Sequence, residues 1–411
     1  MTGGGSNSVQ LRRYNERVVL DALRRFGQAS KAEIARFARL TPPAVATIVD
    51  ALEEGGYVRS GGKRFGGKGQ PSAMYELSPE GAYAIGLHIG RRALDAILID
   101  FCGRTQAYES RDYDYPDPSA VKRAANAIIG RFQRKLGPAR SARLVGIGVS
   151  APYFIGGWEA ELGFPPEAGA AWRRVELGSG FLTAGLPVQV ENDASAAAVA
   201  ELVHGVGARY QDFLHISITT FVGAGLVLDG TLQTGPHGNA AAFGPFPVTP
   251  STLESVPRPA GPFEILLRRA SIYTLVNHLR FRGVTINRVR ELDPMPPEAA
   301  EAVTEWQNDC AAALAQAIVG AIAVVDVEAV VIDGLLPRPL LLDTVGRVRS
   351  QFASVAPNGL IAPEILPGSL GPRASALGAS LLPIYSLFGP DKGVLTKKAR
   401  EKKPLMVGAI F

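Results

Sequence analysis

Ser30-Lys31-Ala32-Glu33 and Thr41-Pro42-Pro43 are the two short stretches that decide how the N-terminal part of this chain folds. The first is a capping box, in which the Ser and Glu side chains satisfy unpaired backbone amides at the start of a helix. Thr41 can cap a second helix, and the two prolines are tolerated only in its first turn. Gly55-Gly56 ends that helix. A buried stripe is predicted by apolar residues at i, i+3, i+4 and i+7, namely Val45, Ile48, Val49 and Leu52.

A basic, glycine-rich loop follows these two helices. The segment Lys63-Arg64-Phe65-Gly66-Gly67-Lys68-Gly69-Gln70-Pro71 lies between two short apolar runs, Tyr57-Val58 and Met74-Tyr75-Glu76-Leu77. Ahead of the capping box, apolar residues between Tyr14 and Phe26 predict a supporting helix. Two helices joined by a tight turn and followed by a basic hairpin are typical of a winged helix-turn-helix that reads DNA. We therefore predict such a domain over residues 1–80.

Positive charge is concentrated in this N-terminal part. Residues 1–70 carry a net charge of +6, whereas the whole chain carries +5, so the remainder is −1. A basic module on a near-neutral body is the electrostatic footprint of binding to phosphate backbones. A solvated charged surface is the alternative, but here the charge coincides with the helix-turn-helix pattern. A second basic run at 396–403 has no such pattern, and we interpret it as an exposed tail.

The expected DNA contacts fall on three elements. The helix that begins at Thr41 would enter the major groove, and the preceding helix would end near the backbone. The wing would reach an adjacent minor groove, where Lys and Arg are attracted. A two-fold symmetric dimer would then read an inverted repeat. The predicted DNA-binding residues are Arg36, Arg39, Thr41, Pro43, Ala44, Thr47, Lys63, Arg64, Lys68 and Gln70, with Ala46 on the same exposed side.

The composition of the 411 residues is that of an ordinary globular protein of two or three domains. Hydrophobic residues make up 46% and charged residues 20%, and no apolar run is long enough to predict a membrane span. The polar start, residues 1–8, lacks the apolar segment of a signal peptide, so we expect a cytoplasmic location. Cys102 and Cys310 are too isolated for a zinc site or a disulfide framework, and we expect two buried free thiols.

The chain changes character after a break at Ser78-Pro79-Glu80-Gly81. Strands then alternate with helices, which indicates an α/β architecture. Two strand hairpins, one at 84–100 around Arg91-Arg92 and one at 213–228, begin two blocks that suggest an internal duplication. Further strands are predicted at 144–150, 188–191 and 330–334, and helices at 118–136, 194–203, most of 263–325, and 374–387.

Five motifs, in this order along the chain, resemble those of the ROK family of bacterial repressors and sugar kinases. The resemblance implies a two-lobed, actin/hexokinase-like (ribonuclease H-like) α/β domain, with an N-terminal lobe at 81–195 and a C-terminal lobe at 196–411. Its last helix is expected to return to the first lobe. A winged helix ahead of this domain is a feature of the family's repressors that its kinases lack. The motifs are Gly146-Ile147-Gly148-Val149-Ser150-Ala151-Pro152, Glu191-Asn192-Asp193-Ala194-Ser195-Ala196-Ala197, Gly223-Ala224-Gly225-Leu226-Val227-Leu228-Asp229-Gly230, Gly235-Pro236-His237-Gly238-Asn239-Ala240 and Ala376-Leu377-Gly378-Ala379.

Two loops that bind phosphates in the family's kinases are degraded here. A kinase has D-x-G-G-T-K where this chain has His88-Ile89-Gly90-Arg91-Arg92-Ala93, which lacks the acidic residue and carries two bulky arginines. A kinase has G-T-G-x-G-x-G where this chain has Thr219-Thr220-Phe221-Val222-Gly223-Ala224-Gly225, with two glycines lost. Phosphoryl transfer needs metal-bridged phosphates and accessible backbone amides. The comparison with the kinase motifs therefore implies no ATP binding, no catalytic residue and no enzymatic activity.

The loops that bind sugar and zinc in the family have also changed. The usual G-E-I-G-H reads Ala241-Ala242-Phe243-Gly244-Pro245, so the sugar-contacting Glu and the zinc-ligating His are both absent. The family's cysteine-rich zinc segment should follow, but residues 250–261 contain no cysteine, and zinc needs three or four N or S ligands at close spacing. We therefore expect no cofactor and no metal site. Gly163-Phe164-Pro165-Pro166 likewise departs from the Asn-containing loop that usually precedes the family's Gly-Trp, here Ala171-Trp172.

The resemblance places a carbohydrate effector near Glu191, Asn192, Asp193 and His237, in the cleft between the lobes. Asp193 stands where the family's kinases have their catalytic base, and a carboxylate can accept hydrogen bonds from a ligand without doing chemistry. Alternatively, Asp193 only caps the helix expected to begin at Ala194. His237 is interpreted either as a sugar contact or as a packed loop histidine.

The sequence therefore favours a DNA-binding transcriptional regulator. We expect a repressor of carbohydrate uptake or catabolism genes that responds to a sugar or sugar-derived effector. Its expected partners are a double-stranded operator and further copies of the chain, as a homodimer or homotetramer, with no membrane partner. One alternative is a sugar kinase with a fused regulatory domain, which Asp193 favours and the degraded loops disfavour. Another is a DNA-binding protein whose cleft is vestigial.

Overall fold

The computed structural model describes residues 8–64, 71–157, 159–178, 180–182 and 184–390. Contacts within the chain divide these residues into two compact units. The first unit combines the residues before 157 with 167–191 and those from 379 onward, and the second combines 157–166 with 192–378. The N-terminal residues therefore belong to the same unit as the first α/β sheet. The domain borders inferred from sequence, at 80/81 and 195/196, stay predictions.

Residues 8–77, here called the N-terminal module, form three helices and a small sheet. The elements are α1 (Ser8–Phe26), β1 (Gln28–Ser30), α2 (Lys31–Ala38), α3 (Pro42–Glu54), β2 (Val58–Arg64) and β3 (Ser72–Leu77). The sheet is antiparallel, with the order β1-β3-β2. The three helices lie where the sequence predicts them, and β2 and β3 flank the predicted basic loop, whereas β1 was not predicted. The apolar stripe of α3 is buried, because its four members are at most 8% exposed.

The sequence predicts a side-chain cap at the start of both α2 and α3, but only the cap of α2 forms. The capping box is confirmed: Ser30 Oγ accepts from the Glu33 amide at 3.3 Å, and Glu33 Oε2 accepts from the Ser30 amide at 2.8 Å. Thr41 occupies the N-cap of α3, but its side chain makes no capping hydrogen bond. An N-cap side chain accepts from the second or third helical amide, and because Pro43 has no amide proton, only the Ala44 amide is left as a partner for Thr41.

The first unit contains a five-stranded sheet backed by a long helix. In chain order the elements are β4 (Tyr83–Ile89), β5 (Ala93–Asp100), β6 (Thr105–Asp112), α4 (Pro118–Ser141), β7 (Leu144–Ala151), the short helices α5 (Glu159–Leu162) and α6 (Pro166–Trp172), and β8 (Val188–Asn192). The strand order is β6-β5-β4-β7-β8. β4 pairs antiparallel with β5 and parallel with β7. Alternate side chains of β4, from Tyr83 to Ile89, pack against the apolar face of α4.

The second unit repeats this topology. Its elements are α7 (Asp193–His204), β9 (Phe213–Ile218), β10 (Val222–Leu228), β11 (Thr231–Gln233), the two-residue strands β12 (Pro247–Val248) and β13 (Glu264–Ile265), α8 (Ile272–Phe281), α9 (Ala300–Ile322), β14 (Ala329–Gly334), α10 (Arg338–Val355), β15 (Glu364–Pro367) and α11 (Ala374–Phe388). The strand order is β11-β10-β9-β14-β15. In both sheets three antiparallel strands are followed by a strand that pairs parallel with the central one, β7 with β4 and β14 with β9, which agrees with the duplication predicted from the two hairpins.

The stretch 263–325 is less helical than the sequence suggested. Only α8 and α9 are α-helices, and the residues between them contain short 3-10 turns at Val289–Leu292 and Pro297–Ala299. The cause lies in residues that break helices. Gly283 adopts a φ of +81°, and Pro294, Pro296 and Pro297 remove amide donors. The expectation of two buried thiols was wrong in part, because Cys310 is buried but Cys102 is only half-buried.

The last helix, α11, contributes its first five residues to the second unit and the remainder to the first. Its close packing depends on two glycines. A side chain at Gly378 would bring its Cβ to 1.7 Å from the Ala196 carbonyl oxygen of α7. A side chain at Gly148 of β7 would come equally close to the Ala379 carbonyl oxygen. Within the described part of the chain, no helix is both long and apolar enough to cross a membrane.

Candidate DNA-binding surface and effector site

The exposed face of α3 carries most of the predicted base-contacting residues. Thr41, Pro43 and Thr47 are exposed, whereas Ala44 and Ala46 are half-buried. The Thr47 hydroxyl donates to the Pro43 carbonyl oxygen at 3.1 Å, which fixes its side chain against its own helix. The opposite face of α3 is buried in the core of the N-terminal module. The first half of α3, up to Thr47, therefore presents a small, uncharged ridge with short side chains, and the exposed Asp50, Glu53 and Glu54 follow it.

Two exposed arginines lie at the end of α2, just before α3. Arg36 is in the last turn of α2, and Arg39 caps that helix in the left-handed conformation, with φ 53° and ψ 41°. The Arg39 amide donates to the Ala35 carbonyl oxygen, so the tight turn between the helices is closed by the backbone. A non-glycine residue in this conformation is uncommon and is favoured where a turn requires it. The turn leaves both guanidinium groups on the surface.

The strand leading into the wing is tied to the start of α2 by an ion pair. Arg64 Nη1 lies 2.8 Å from Glu33 Oε1, while the other oxygen of Glu33 serves the capping box. Lys63 beside it is exposed. Lys68 and Gln70, also predicted to bind DNA, lie outside the described residues. The sequence predicted Arg64 only as a DNA contact. The structure shows that Arg64 also ties β2 to the start of α2.

A cluster of aromatic and cationic side chains joins the N-terminal module to the rest of the first unit. The rings of Phe101 and Phe388 have centroids 4.8 Å apart, and Tyr57 lies 5.2 Å from Phe388. The Arg24 guanidinium of α1 lies 5.0 Å from the centre of the Tyr385 ring, a cation–π geometry. We call Arg24, Tyr57, Phe101, Tyr385 and Phe388 the aromatic junction. The sequence alone did not predict the aromatic junction, because its members come from distant parts of the chain and form no local pattern.

The N-cap of α7 is Asn192 and not Asp193, although Asp193 Oδ1 also accepts from the Ala194 amide at 2.9 Å. Asn192 is the N-cap, and its Oδ1 accepts from the Ala194 amide at 3.0 Å and the Ser195 amide at 3.3 Å. The helix begins at Asp193, one residue earlier than predicted. Glu191 and Asn192 are buried, whereas Asp193 is half-buried. Of these three carboxylate and amide groups, Asp193 is therefore the one that a ligand can reach most easily.

His237 lies in a turn of the loop that follows β11. The turn is closed by a hydrogen bond from the Ala240 amide to the Thr234 carbonyl oxygen at 3.1 Å, with Gly235 at a φ of +70°. The histidine is exposed, so the interpretation of a packed loop histidine is wrong. An exposed imidazole can donate and accept hydrogen bonds. A role in sugar binding stays a prediction.

The turn between β4 and β5 is filled by the chain's own groups. Arg91 Nη2 donates to the Phe154 carbonyl oxygen at 3.0 Å, and Arg92 Nη1 donates to the Asp114 carbonyl oxygen. The Tyr113 hydroxyl lies 2.6 Å from the Gly90 carbonyl oxygen and 2.8 Å from that of Ala93. In a phosphate-binding hairpin this turn would offer amides and a metal-binding acid. The absence of ATP binding stays a prediction.

The second degraded loop is likewise closed upon itself. The Thr219 amide and hydroxyl both lie 2.8 Å from the Phe221 carbonyl oxygen. Phe221 is buried, with its ring 5.7 Å from that of Tyr273 in a T-shaped arrangement. The Ile272 amide donates to the Thr219 carbonyl oxygen at 3.0 Å, which ties the loop to α8. The Phe221 ring therefore fills the loop that the glycines of the kinase motif would leave open.

A buried ion pair anchors the loop where the family carries its zinc segment. Arg269 and Asp309 form two charge-assisted hydrogen bonds, at 3.0 Å from Nε and 2.8 Å from Nη2. Asp309 also accepts from the Ser251 hydroxyl and the Thr252 amide, and Arg269 Nη1 donates to the Thr249 carbonyl oxygen. Both side chains are at most 2% exposed. These hydrogen bonds hold the loop in place, and the absence of the family's zinc site stays a prediction.

The fold now defines a class of protein: two sheets of identical topology, each with helices, preceded by a helical module. The sequence profile of the ROK family matches residues 84–385, which is most of the chain. The chain belongs to the ROK family.

Relatives within the family include both repressors and kinases. The xylose repressor of Bacillus spizizenii (strain ATCC 23059 / NRRL B-14472 / W23) is 23% identical over 379 residues, covering 91% of this chain and 96% of the repressor. The crystal structure of a ROK family transcriptional regulator, a homologue of the E. coli MLC protein, matches with a TM-score of 0.65 and 18% identity, over 95% of this chain and 100% of that one. A ROK family glucokinase from Streptomyces griseus, solved with glucose and AMPPNP, matches with a TM-score of 0.53 and 22% identity, over 73% of this chain and 99% of that one. At these identities the two solved structures show the fold alone.

Proposed function

We propose that this protein is a sequence-specific DNA-binding repressor of genes for carbohydrate uptake or catabolism. The observation that carries the proposal is the basic N-terminal module with an exposed α3, built onto a ROK body whose two phosphate loops are blocked. The match to the solved regulator supports the proposal. It covers 95% of this chain, so the unmatched residues are fewer than those of the N-terminal module. Selection of bound sequences from a pool of random duplexes tests the proposal, and an enriched inverted repeat is the expected result.

DNA binding in this proposal combines a specific ridge with flanking charge. α3 enters the major groove and offers Thr41, Pro43, Ala44 and Thr47, whose small side chains suit hydroxyl contacts and thymine methyl groups. Arg36 and Arg39 approach the backbone beside the groove, while the basic wing approaches the neighbouring groove. Phosphate contacts set the affinity and register, and the few contacts on α3 set the sequence. A homodimer or homotetramer supplies two such modules.

The proposed effector is a sugar or sugar derivative bound at Asp193, with His237 as a second candidate contact. Three observations support this choice. Asp193 is a half-buried carboxylate at a helix start, His237 is exposed, and relatives of the chain include a xylose repressor. The protein acts as a switch only if the effector binds the DNA-competent and DNA-incompetent conformations with different affinities.

α11 is the proposed route from the effector to the N-terminal module. In the second unit, the Ser375 hydroxyl donates to the Asp193 carbonyl oxygen at 3.0 Å, and Gly378 packs on Ala196. In the first unit, the other end of α11 supplies Tyr385 and Phe388 to the aromatic junction. A displacement of α7 on ligand binding would therefore be transmitted to α11, which contacts α1 and the start of β2. Packed elements of this kind shift as rigid bodies.

A sugar kinase with a fused regulatory domain is the second candidate, because glucokinases are among the relatives and Asp193 is retained. Arg91, Arg92 and Phe221 argue against it, since they fill the two loops. A coupled assay for ADP release with Mg-ATP, run on D-xylose and D-glucose, separates the two functions. Sustained turnover that disappears in Asp193→Asn would establish the kinase.

Asp193→Asn is expected to abolish stabilisation by the effector. The substitution keeps the size and removes the charged acceptor, so hydrogen bonds from sugar hydroxyls are weakened. A ligand at about 100 times its Kd adds about 2.7 kcal/mol to the stability of the native state. We expect one member of a panel of pentoses, hexoses and their phosphates to raise the melting temperature of the wild type and not of the variant.

The matched control is Asp326→Asn, which makes the same chemical change at an exposed position before β14. It should respond to the sugar as the wild type does. Equal sugar responses in the wild type and Asp193→Asn would remove Asp193 from the effector site.

A further inference from the structure

Three buried side chains converge in the second unit at a place that neither the DNA surface nor the effector site uses. Glu201 comes from the last turn of α7, His215 from the middle of β9 and Asp333 from the end of β14. One ligand atom of each lies within 4.8 Å of those of the other two. All three residues are at most 2% exposed.

The imidazole of His215 is the unusual member of this cluster. Neither of its ring nitrogens has a hydrogen-bond partner among the described residues, and the side chain is fully buried. Burying a polar group without a partner is costly, so such a group is expected to have a role. Burial lowers the pKa of His215 to about 4, against the opposing effect of Asp333. The ring is therefore neutral at physiological pH, which is the form that binds metals.

The two carboxylates are held in place by backbone amides. Glu201 Oε1 accepts from the Ser369 amide and Oε2 from the Val206 amide, each at 2.9 Å. Asp333 Oδ2 accepts from the Leu370 and Gly371 amides at 3.1 and 2.8 Å. Burial and the nearby Asp333 raise the pKa of Glu201, as expected when two acids share a dry site. Such a pair must be relieved by a shared proton or by a cation.

We propose that Glu201, His215 and Asp333 bind one zinc ion. Two carboxylates and one neutral imidazole carry a charge of −2, which a divalent cation balances, and zinc takes carboxylate oxygens and imidazole nitrogens together. The unpaired ring nitrogen favours the cation over a shared proton, because a proton between the carboxylates leaves His215 without a partner. The ion would join α7, β9, β14 and the 368–371 loop that leads to α11. This site is separate from residues 250–261, where the sequence comparison expects the family's zinc segment.

The test uses untagged full-length protein, so that no affinity tag contributes zinc. Elemental analysis by mass spectrometry should find about one zinc per chain after expression in zinc-supplemented medium. Dialysis against EDTA should lower the melting temperature, and ZnCl2 should restore it. Asp333→Asn and His215→Gln should each lose the zinc. His204→Gln, which changes an exposed histidine on the same helix as Glu201, should keep it.

Glu201→Gln distinguishes a bound cation from a shared proton. It also provides the test on α7 if substitutions in the two strands prevent folding. If a shared proton takes the place of the cation, the melting temperatures of this variant and of the wild type are both unchanged by EDTA. That result would overturn the zinc site. A wild type with less than about one tenth of a zinc per chain and no response to ZnCl2 would overturn it as well. Loss of zinc and of EDTA sensitivity in Glu201→Gln supports it.

Discussion

Arg36→Glu is expected to weaken operator binding about 100-fold, which corresponds to about 2.7 kcal/mol. Arg36 is exposed at the end of α2, beside α3, where the proposed docking brings it close to a phosphate. Reversing its charge removes one favourable contact and creates a repulsive one. The logarithm of the affinity should also fall less steeply with the logarithm of the salt concentration, by about one unit of slope. Fluorescence anisotropy of a labelled operator duplex at several salt concentrations measures both effects.

Arg123→Glu is the matched control for this variant. Arg123 is also exposed on a helix, α4, but it lies outside the N-terminal module. The change in net charge is identical, so any effect of overall charge is the same in both proteins. We expect the control to bind within about threefold of the wild type, since distant exposed charges are screened at moderate salt. Equal losses in the two variants would show that α2 does not face the DNA.

Asp309→Ala is expected to lower the free energy of unfolding of the second unit by about 3–5 kcal/mol. The substitution leaves the Arg269 guanidinium buried without its carboxylate. It also removes the acceptor for the Ser251 hydroxyl and the Thr252 amide. Because this network holds the loop that lacks the family's zinc segment, the loop should lose its anchor together with the charge pair. Urea denaturation followed by tryptophan fluorescence, to which the buried Trp306 of this unit contributes, measures the change.

The control is Asp343→Ala, which removes the acid of an exposed i,i+4 ion pair with Arg347 in α10 of the same unit. The Asp343 side chain is 54% exposed, so solvent screens the pair and its loss should cost less than about 1 kcal/mol. A cost for Asp309→Ala as small as that of Asp343→Ala would contradict the role given to the buried pair. A double variant, Arg269→Met with Asp309→Leu, should recover much of the stability, because no charge is then left buried.

Local features of this fold could be predicted because their causes are local. The capping box needs only Ser30 and Glu33, three residues apart, and the buried stripe of α3 needs only helical periodicity. The hairpins at 84–100 and 213–228 likewise follow from short apolar runs. Thr41 lies at the predicted N-cap of α3, but its side chain makes no capping hydrogen bond, and Pro43 removes one of the two amides that it could have capped.

Long-range arrangements had no such signal. Arg269 and Asp309 are ordinary charged residues in sequence, and only the packing of the loop against α9 shows that they form a buried pair. The aromatic junction joins α1, the start of β2, the end of β5 and α11, which no periodicity links. The proposed zinc ligands come from one helix and two strands, so a search for closely spaced ligands predicted no metal site. These features depend on topology, which brings separate segments together only after folding.

We propose that the N-terminal module reads DNA as part of a symmetric assembly. Repeated selection of duplexes by the full-length protein from a pool with about 30 random base pairs, at roughly 0.15 M salt, tests this proposal. We expect enrichment of an inverted repeat that Arg36→Glu binds far more weakly than the wild type does. A pool that stays random after several rounds, with binding that depends only on salt, would contradict it.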